Sequence, residues 1–122
     1  MTKKYFFDSY AIFSIAQENE NYKKYVNLDI VLTKLNLFEI YYGSLRDNGV
    51  EKAEKIIKDI TQFVIDFDEI DIRLAANFKL LHRKANLSMV DCIGYVVAKR
   101  LGIKFLTGDK QFENFENVEF VK

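Results

Sequence analysis

Four carboxylates stand at places in this chain where they could do chemistry together. Asp8 closes the apolar run Tyr5-Phe6-Phe7 and opens the helical stretch Ser9-Tyr10-Ala11-Ile12-Phe13; Glu39 lies beside the apolar positions of a helical segment; Asp91 follows Ser88 by three residues; Asp109 follows Thr107-Gly108. Acids normally occupy solvated faces, whereas these mark junctions between strand and helix or border an apolar stripe. Gathered in one cleft, four like charges would need a cation. With one His and one Cys in the chain, an all-carboxylate nest suits a hard, water-keeping ion such as Mg²⁺ or Mn²⁺ better than zinc. The chemistry in reach is metal-assisted hydrolysis.

Each acid also has a purely structural reading. Asp8 can cap the following helix, a bond worth about 1 kcal/mol. Ser88-Met89-Val90-Asp91 has the form of a capping box, which needs only backbone donors. Beyond Asp91, Gly94 and Ala98 recur on the same face, which suggests a surface of low relief suited to a cleft. Asp109 can stabilise the turn after Gly108. Glu39 is harder to explain away, because it shares a helix face with Leu35, Tyr42 and Gly43 and has no Lys or Arg three or four residues off. A partly buried carboxylate must be paired, protonated or metal-bound.

The elements that would position these acids follow from periodicity. Lys4 to Phe7 reads as a strand and Ser9 to Ala16 as a helix, ended by the polar run Gln17 to Asn21. After a basic, aromatic connection, Lys23-Lys24-Tyr25, Leu28 to Leu32 is a second strand. Thr33 then caps a helix whose apolar stripe is Leu35, Phe38, Tyr42 and Leu45, stopped by Asn48-Gly49. Val50 to Ile60 is amphipathic, and Phe63-Val64-Ile65 reads as a third strand. Asp68 or Asp71 starts a helix through Leu74, Ala75, Phe78 and Leu81 to near Asn86. Ser88 opens another, with Val90, Ile93, Val97 and Leu101 as its stripe and Gly102 as its cap. Lys104 to Leu106 and Val118 to Val121 are the last strands. Strands alternating with helices predict an α/β fold, a single domain over 1–122 with a twisted parallel sheet and helices on both faces. Ligands of such sheets bind beyond the carboxyl ends of the strands, where Asp8 and Asp109 both fall.

Composition narrows the function. At 122 residues, 49% hydrophobic and 15% aromatic, the chain can build one core. Eighteen basic residues against eighteen acidic ones exclude a general nucleic-acid coat. No apolar run approaches a membrane span, and Met1-Thr2-Lys3-Lys4 leads straight into the first strand, so a mature cytosolic protein is expected. Cys92 alone cannot make an internal disulfide and reads as a small buried hydrophobe.

Taken in order, Phe6-Phe7-Asp8-Ser9, Thr33-x-x-Asn36-Leu37-x-Glu39-x-x-Tyr42-Gly43, Leu87-Ser88-x-x-Asp91 and Phe105-Leu106-Thr107-Gly108-Asp109 resemble the PIN-domain family, most closely its small VapC-type toxins. The resemblance spans essentially the whole chain. It implies that Asp8, Glu39, Asp91 and Asp109 form the metal-binding and catalytic set, supported by Ser9, Asn36 and Thr107. It also implies an endoribonuclease of single-stranded RNA using Mg²⁺ or Mn²⁺, a homodimer, and a small antitoxin that inserts a segment into the acidic cleft. One or two ions would activate water for attack on phosphorus and stabilise the leaving 3′ oxygen. Gly108 and the run Lys110-Gln111-Phe112 depart from the family pattern, which bears on substrate contacts more than on metal binding.

RNA would arrive past basic residues, for which Lys23, Lys24, Lys34, Arg46, Arg83, Lys84 and Lys110 are candidates, with Tyr10, Tyr42 or Phe112 for base stacking. His82 beside Arg83-Lys84 near a helix end reads as stabilising or superficial, and alone it cannot supply the acid and base of a metal-free route. Two other readings stay open. One keeps the fold but assigns RNA maturation or an inactive nucleic-acid-binding module. The other is a phospho-receiver signalling domain, which needs an acidic pair after the first strand and an acceptor Asp after the third, where Asp66 and Asp68 stand.

Overall fold

Tyr5, Phe6 and Phe7 are consecutive and all buried. Because successive strand residues face opposite ways, the strand that holds them must be covered on both sides. In the computed structural model, which describes residues 3–122, this strand is β1 (Lys4–Phe7). Met1 and Thr2 lie outside the described residues. With β2 (Asp29–Val31), β3 (Lys104–Thr107) and β4 (Val118–Phe120), β1 forms an all-parallel sheet in the order β2-β1-β3-β4.

Period-two alternation sorts the core into two layers. Phe6, paired with Val31 and Phe105, points to one face together with Ala75, Ile93, Val97 and Phe112. Tyr5, Phe7, Leu32 and Leu106 point to the other, with Ala11, Ile12, Ile40 and Ile60. Accordingly α1 (Ser9–Ala16), α2 (Lys34–Asn48) and α3 (Val50–Ile60) supply one layer, and α4 (Glu69–Leu81) and α5 (Met89–Leu101) the other. Helices on both faces of a parallel sheet are as predicted. No helix among the described residues is long and apolar enough to cross a membrane.

Four expectations need correction, the first being that α4 stops at Leu81, capped by His82, and does not run to near Asn86. Phe63-Val64-Ile65 is not a strand: α3 runs into a short 3₁₀ turn, Thr61–Phe63, and only Val64 pairs, in an isolated parallel bridge to Leu32. The run is half-buried at the sheet margin, too short to extend the ladder. The stripe Leu35, Phe38, Tyr42, Leu45 is not the packed face of α2. Phe38, Tyr42 and Leu45 are exposed, and Asn36, Ile40, Gly43 and Ser44 are buried instead. Gly43 explains the choice, since a Cβ there would come within 2.6 Å of the Phe13 ring, so α1 approaches α2 where there is no side chain. Lastly, Gly94 and Ala98 do not line an open surface. A Cβ at 94 would lie 2.8 Å from the Phe6 ring and 3.1 Å from Phe105, so this face of α5 sits directly on the sheet.

Candidate active site

Because every strand runs the same way, the residues after β1, β2 and β3 share one rim. Asp8 occupies the N-cap position of α1, yet its side chain makes no capping bond. It accepts a hydrogen bond from the Thr107 hydroxyl at 2.8 Å, and that same hydroxyl oxygen receives the Asp109 N–H at 3.0 Å. The capping explanation of Asp8 therefore fails. A second network starts after β2. The Thr33 N–H and hydroxyl both donate to Asn36 Oδ1 (3.0 and 3.1 Å), Asn36 Nδ2 donates to the Ser9 hydroxyl oxygen (3.1 Å), and Ser9 donates to Glu39 Oε1 (2.6 Å). Asn36 and Thr33 are fully buried, and such a chain of satisfied bonds holds the Glu39 carboxylate in one orientation.

Asp91 does form its predicted capping box, accepting the Ser88 N–H at 3.0 Å while Ser88 Oγ accepts the Asp91 N–H at 3.1 Å. Asp109 caps the short turn Lys110–Phe112 by accepting the Gln111 N–H. Both acids thus keep a structural task and still line the same cleft as Asp8 and Glu39. That cleft, about 490 Å³, is completed by Ser9, Tyr10, Phe13, Phe38, Tyr42, Gly43 and Arg46. Four acids from four separate segments of the chain meet there.

Their electrostatics are those of crowded, desolvated carboxylates. Burial, then the charges of Asp91 and Glu39, push the Asp8 carboxyl up to about 7, against the opposing bond from Thr107. Glu39 is raised by burial and by Asp91, with the Ser9 hydroxyl working the other way. Asp91 is raised by burial and by Asp109, while its bonds to Ser88 and the Lys79 charge lower it. A cation would relieve all of this. Among the described residues no three acids converge tightly enough to hold an ion by themselves. Ions here would therefore be gripped by one or two carboxylates and keep water, which is the habit of Mg²⁺. The all-oxygen donor set fits that ion.

Several residues at or around the cleft were not singled out from the sequence. Lys79 donates to the Leu87 carbonyl at 2.5 Å and reaches Asp91 electrostatically. Gln111 pairs with both backbone groups of Asn86, donating to its carbonyl at 2.9 Å and accepting its N–H. Phe13 and Phe38 line the cleft, and Thr33 anchors its network. A tertiary hydrogen bond leaves no periodic trace, so only a helix-boundary role for Thr33 was readable. Gly108 is required by close approach, because a Cβ there would overlap the Tyr10 ring and the Val121 carbonyl. Of the basic candidates only Arg46 lines the cleft, and Phe112 is fully buried and unavailable for stacking. His82 caps α4 and packs against Phe78 and Phe115, as its structural reading expects. Cys92 is buried, its thiol raised to about 11 by desolvation. The receiver arrangement is not present. Asp66 is exposed, Asp68 is used in capping α4, and neither lines the cleft.

The fold is shared with solved structures of low sequence identity. A toxin-antitoxin complex from Klebsiella pneumoniae has a chain with a TM-score of 0.75 at 12% identity, covering 94% of this chain and 95% of that one. VapBC2 from Rickettsia felis, bound to a promoter DNA fragment, gives 0.73 at 15% identity, with 98% and 99% covered. DNA-bound VapBC from Salmonella typhimurium gives 0.72 at 18%, with 98% and 97% covered. No curated protein sequence matches. The sequence itself matches the PIN domain over residues 5–118 of 122, and the chain therefore belongs to the PIN domain family.

Proposed function

We propose that this protein is a Mg²⁺- or Mn²⁺-dependent endoribonuclease that hydrolyses single-stranded RNA, acting as the toxin of a toxin–antitoxin pair. The observation that carries this reading is the convergence of Asp8, Glu39, Asp91 and Asp109 on one rim of the sheet, with no salt bridge to any of them among the described residues. Membership of the PIN domain family supports the nuclease chemistry. The likeness to chains of toxin-antitoxin complexes supports a small antitoxin partner, and we assign the same single-domain, homodimeric, cytosolic organisation that the resemblance implies.

In this reading Asp8, Glu39, Asp91 and Asp109 would hold the metal, any one ion taking one or two of these carboxylates and water for the rest. The ion supplies charge neutralisation at the phosphate and an activated water. Thr107 keeps one Asp8 oxygen directed by hydrogen bonding, and Ser9, held by Asn36, does the same for Glu39. Burial raises the Asp8 carboxyl to about 7, so metal uptake at or below neutral pH would displace a proton from it, and uptake should strengthen as pH rises.

The test compares wild type with Asp8→Asn and Asp91→Asn on unstructured RNA, with and without chelator. Each substitution should lower cleavage about a hundredfold or more, and chelation should abolish it reversibly. Cutting that survives both substitutions, or ignores the chelator, would sink the mechanism.

A further inference from the structure

Beside the acids stand two aromatic rings that the packing of the fold does not use. Phe38 and Tyr42, one helical turn apart on α2, are 72% and 55% exposed and line the same cleft as Glu39 and Asp8. Ile40, Gly43 and Asn36 fill the buried side of that helix, so the rings contribute little to the core, and leaving them in water is unfavourable. Their planes lie within 2° of parallel, with centroids 6.3 Å apart. One turn further on, the Arg46 guanidinium lies 5.7 Å from the centre of the Tyr42 ring. Arg46 is the one cation among the residues lining the cleft. Its pairing is with Asp47, and both side chains are more than half exposed, so a phosphate can compete for it.

Flat parallel rings bordered by a guanidinium match the chemistry of an unpaired nucleotide, a base face followed by a phosphate. Stacking of bases on aromatic side chains tolerates any sequence, because every base has a π-face. A duplex keeps those faces covered. Phosphate contacts are repelled by the acids until a cation is present, which makes Arg46 the natural anchor at the mouth. We propose that Phe38 and Tyr42 form a stacking platform for the unpaired base next to the scissile phosphate, with Arg46 on a neighbouring phosphate, and that the three select single-stranded over duplex RNA. This rests on the nuclease reading above.

Binding can be separated from cutting with the Asp8→Asn protein and a labelled RNA oligonucleotide, read by fluorescence anisotropy. Adding Phe38→Ala or Tyr42→Ala should weaken binding about tenfold each. Arg46→Gln should weaken it and flatten the dependence on salt. An abasic position scanned along the RNA should reproduce the aromatic loss at one site, and there the alanine variants should bind no worse than their parent. Aromatic variants that bind intact RNA as well as the parent, while wild type still cuts with metal, overturn the platform and leave the nuclease reading standing. The same result with loss of binding to an amphipathic peptide assigns the surface to a protein partner instead, which also overturns it. Wild type that neither binds nor cuts RNA removes both.

Discussion

At the scale of single residues, a motif can be real and still not be the whole account of its residue. Ser88 and Asp91 do form a capping box, and Asp109 does cap a turn, yet both face the cleft. Asp8 is the reverse case. Its position is that of a cap, but its oxygen is committed to Thr107 and its environment is desolvated. Burial pushes its carboxyl up to about 7 from the ordinary 3.8. Between those values the folded chain holds a proton that the unfolded chain has lost, so stability should fall as pH rises through this window. The limit of the effect is about 4 kcal/mol. In chelator, wild type should melt at higher temperature at pH 5 than at pH 8, and Asp8→Asn should remove most of that slope while stabilising the protein at pH 8. Equal slopes in the two proteins would show that Asp8 is not desolvated as described. Asp71, whose carboxyl Arg100 holds below the ordinary range, acts in the opposite direction and only at lower pH.

At the scale of elements, α2 shows what periodicity can and cannot decide. Its start at Thr33 and stop at Gly49 were readable from capping and turn chemistry. The face it buries was not, because an apolar stripe at helical spacing signals burial only if a partner covers it. Gly43 accepts α1 more closely than Phe38 or Tyr42 could. The placement of Asp91 relative to Asp109 depends on another contact between elements, the Gln111 side chain clasped to the backbone of Asn86 just ahead of α5. Gln111→Ala should cost about 1–2 kcal/mol in a thermal melt and lower Mn²⁺ affinity about tenfold, measured by electron paramagnetic resonance. Gln111→Glu, which can accept but not donate, should fall between. A melting loss with unchanged Mn²⁺ affinity would reduce the clasp to a structural tie.

At the scale of the whole molecule, the site is a rim held by two helical layers, and the α4–α5 layer is pinned by one half-exposed ion pair. Arg100 donates to both oxygens of the fully buried Asp71 at 2.8 and 2.9 Å. Arg100→Leu leaves that buried carboxylate with only the Asp68 N–H as donor, and the expected loss is about 2 kcal/mol in chemical denaturation. Asp8, Glu39, Asp91 and Asp109 stay in place, so Mn²⁺ affinity of the folded protein should not change; a tenfold drop would place Arg100 in the site's support. Alternation of strand and helix, the apolar run Tyr5-Phe6-Phe7, the caps at Thr33, Ser88 and Gly102 and the four acids with their order were all determined by the sequence itself, because each is set by neighbours within a few positions. Only the tertiary structure decided which face of α2 is covered, that Phe63 to Ile65 makes a single bridge, that Gly94 packs on the sheet, and that Thr107 and Ser9 orient acids about 100 and 30 residues away in the chain. Those outcomes depend on which surfaces meet, and local periodicity carries no record of the partner.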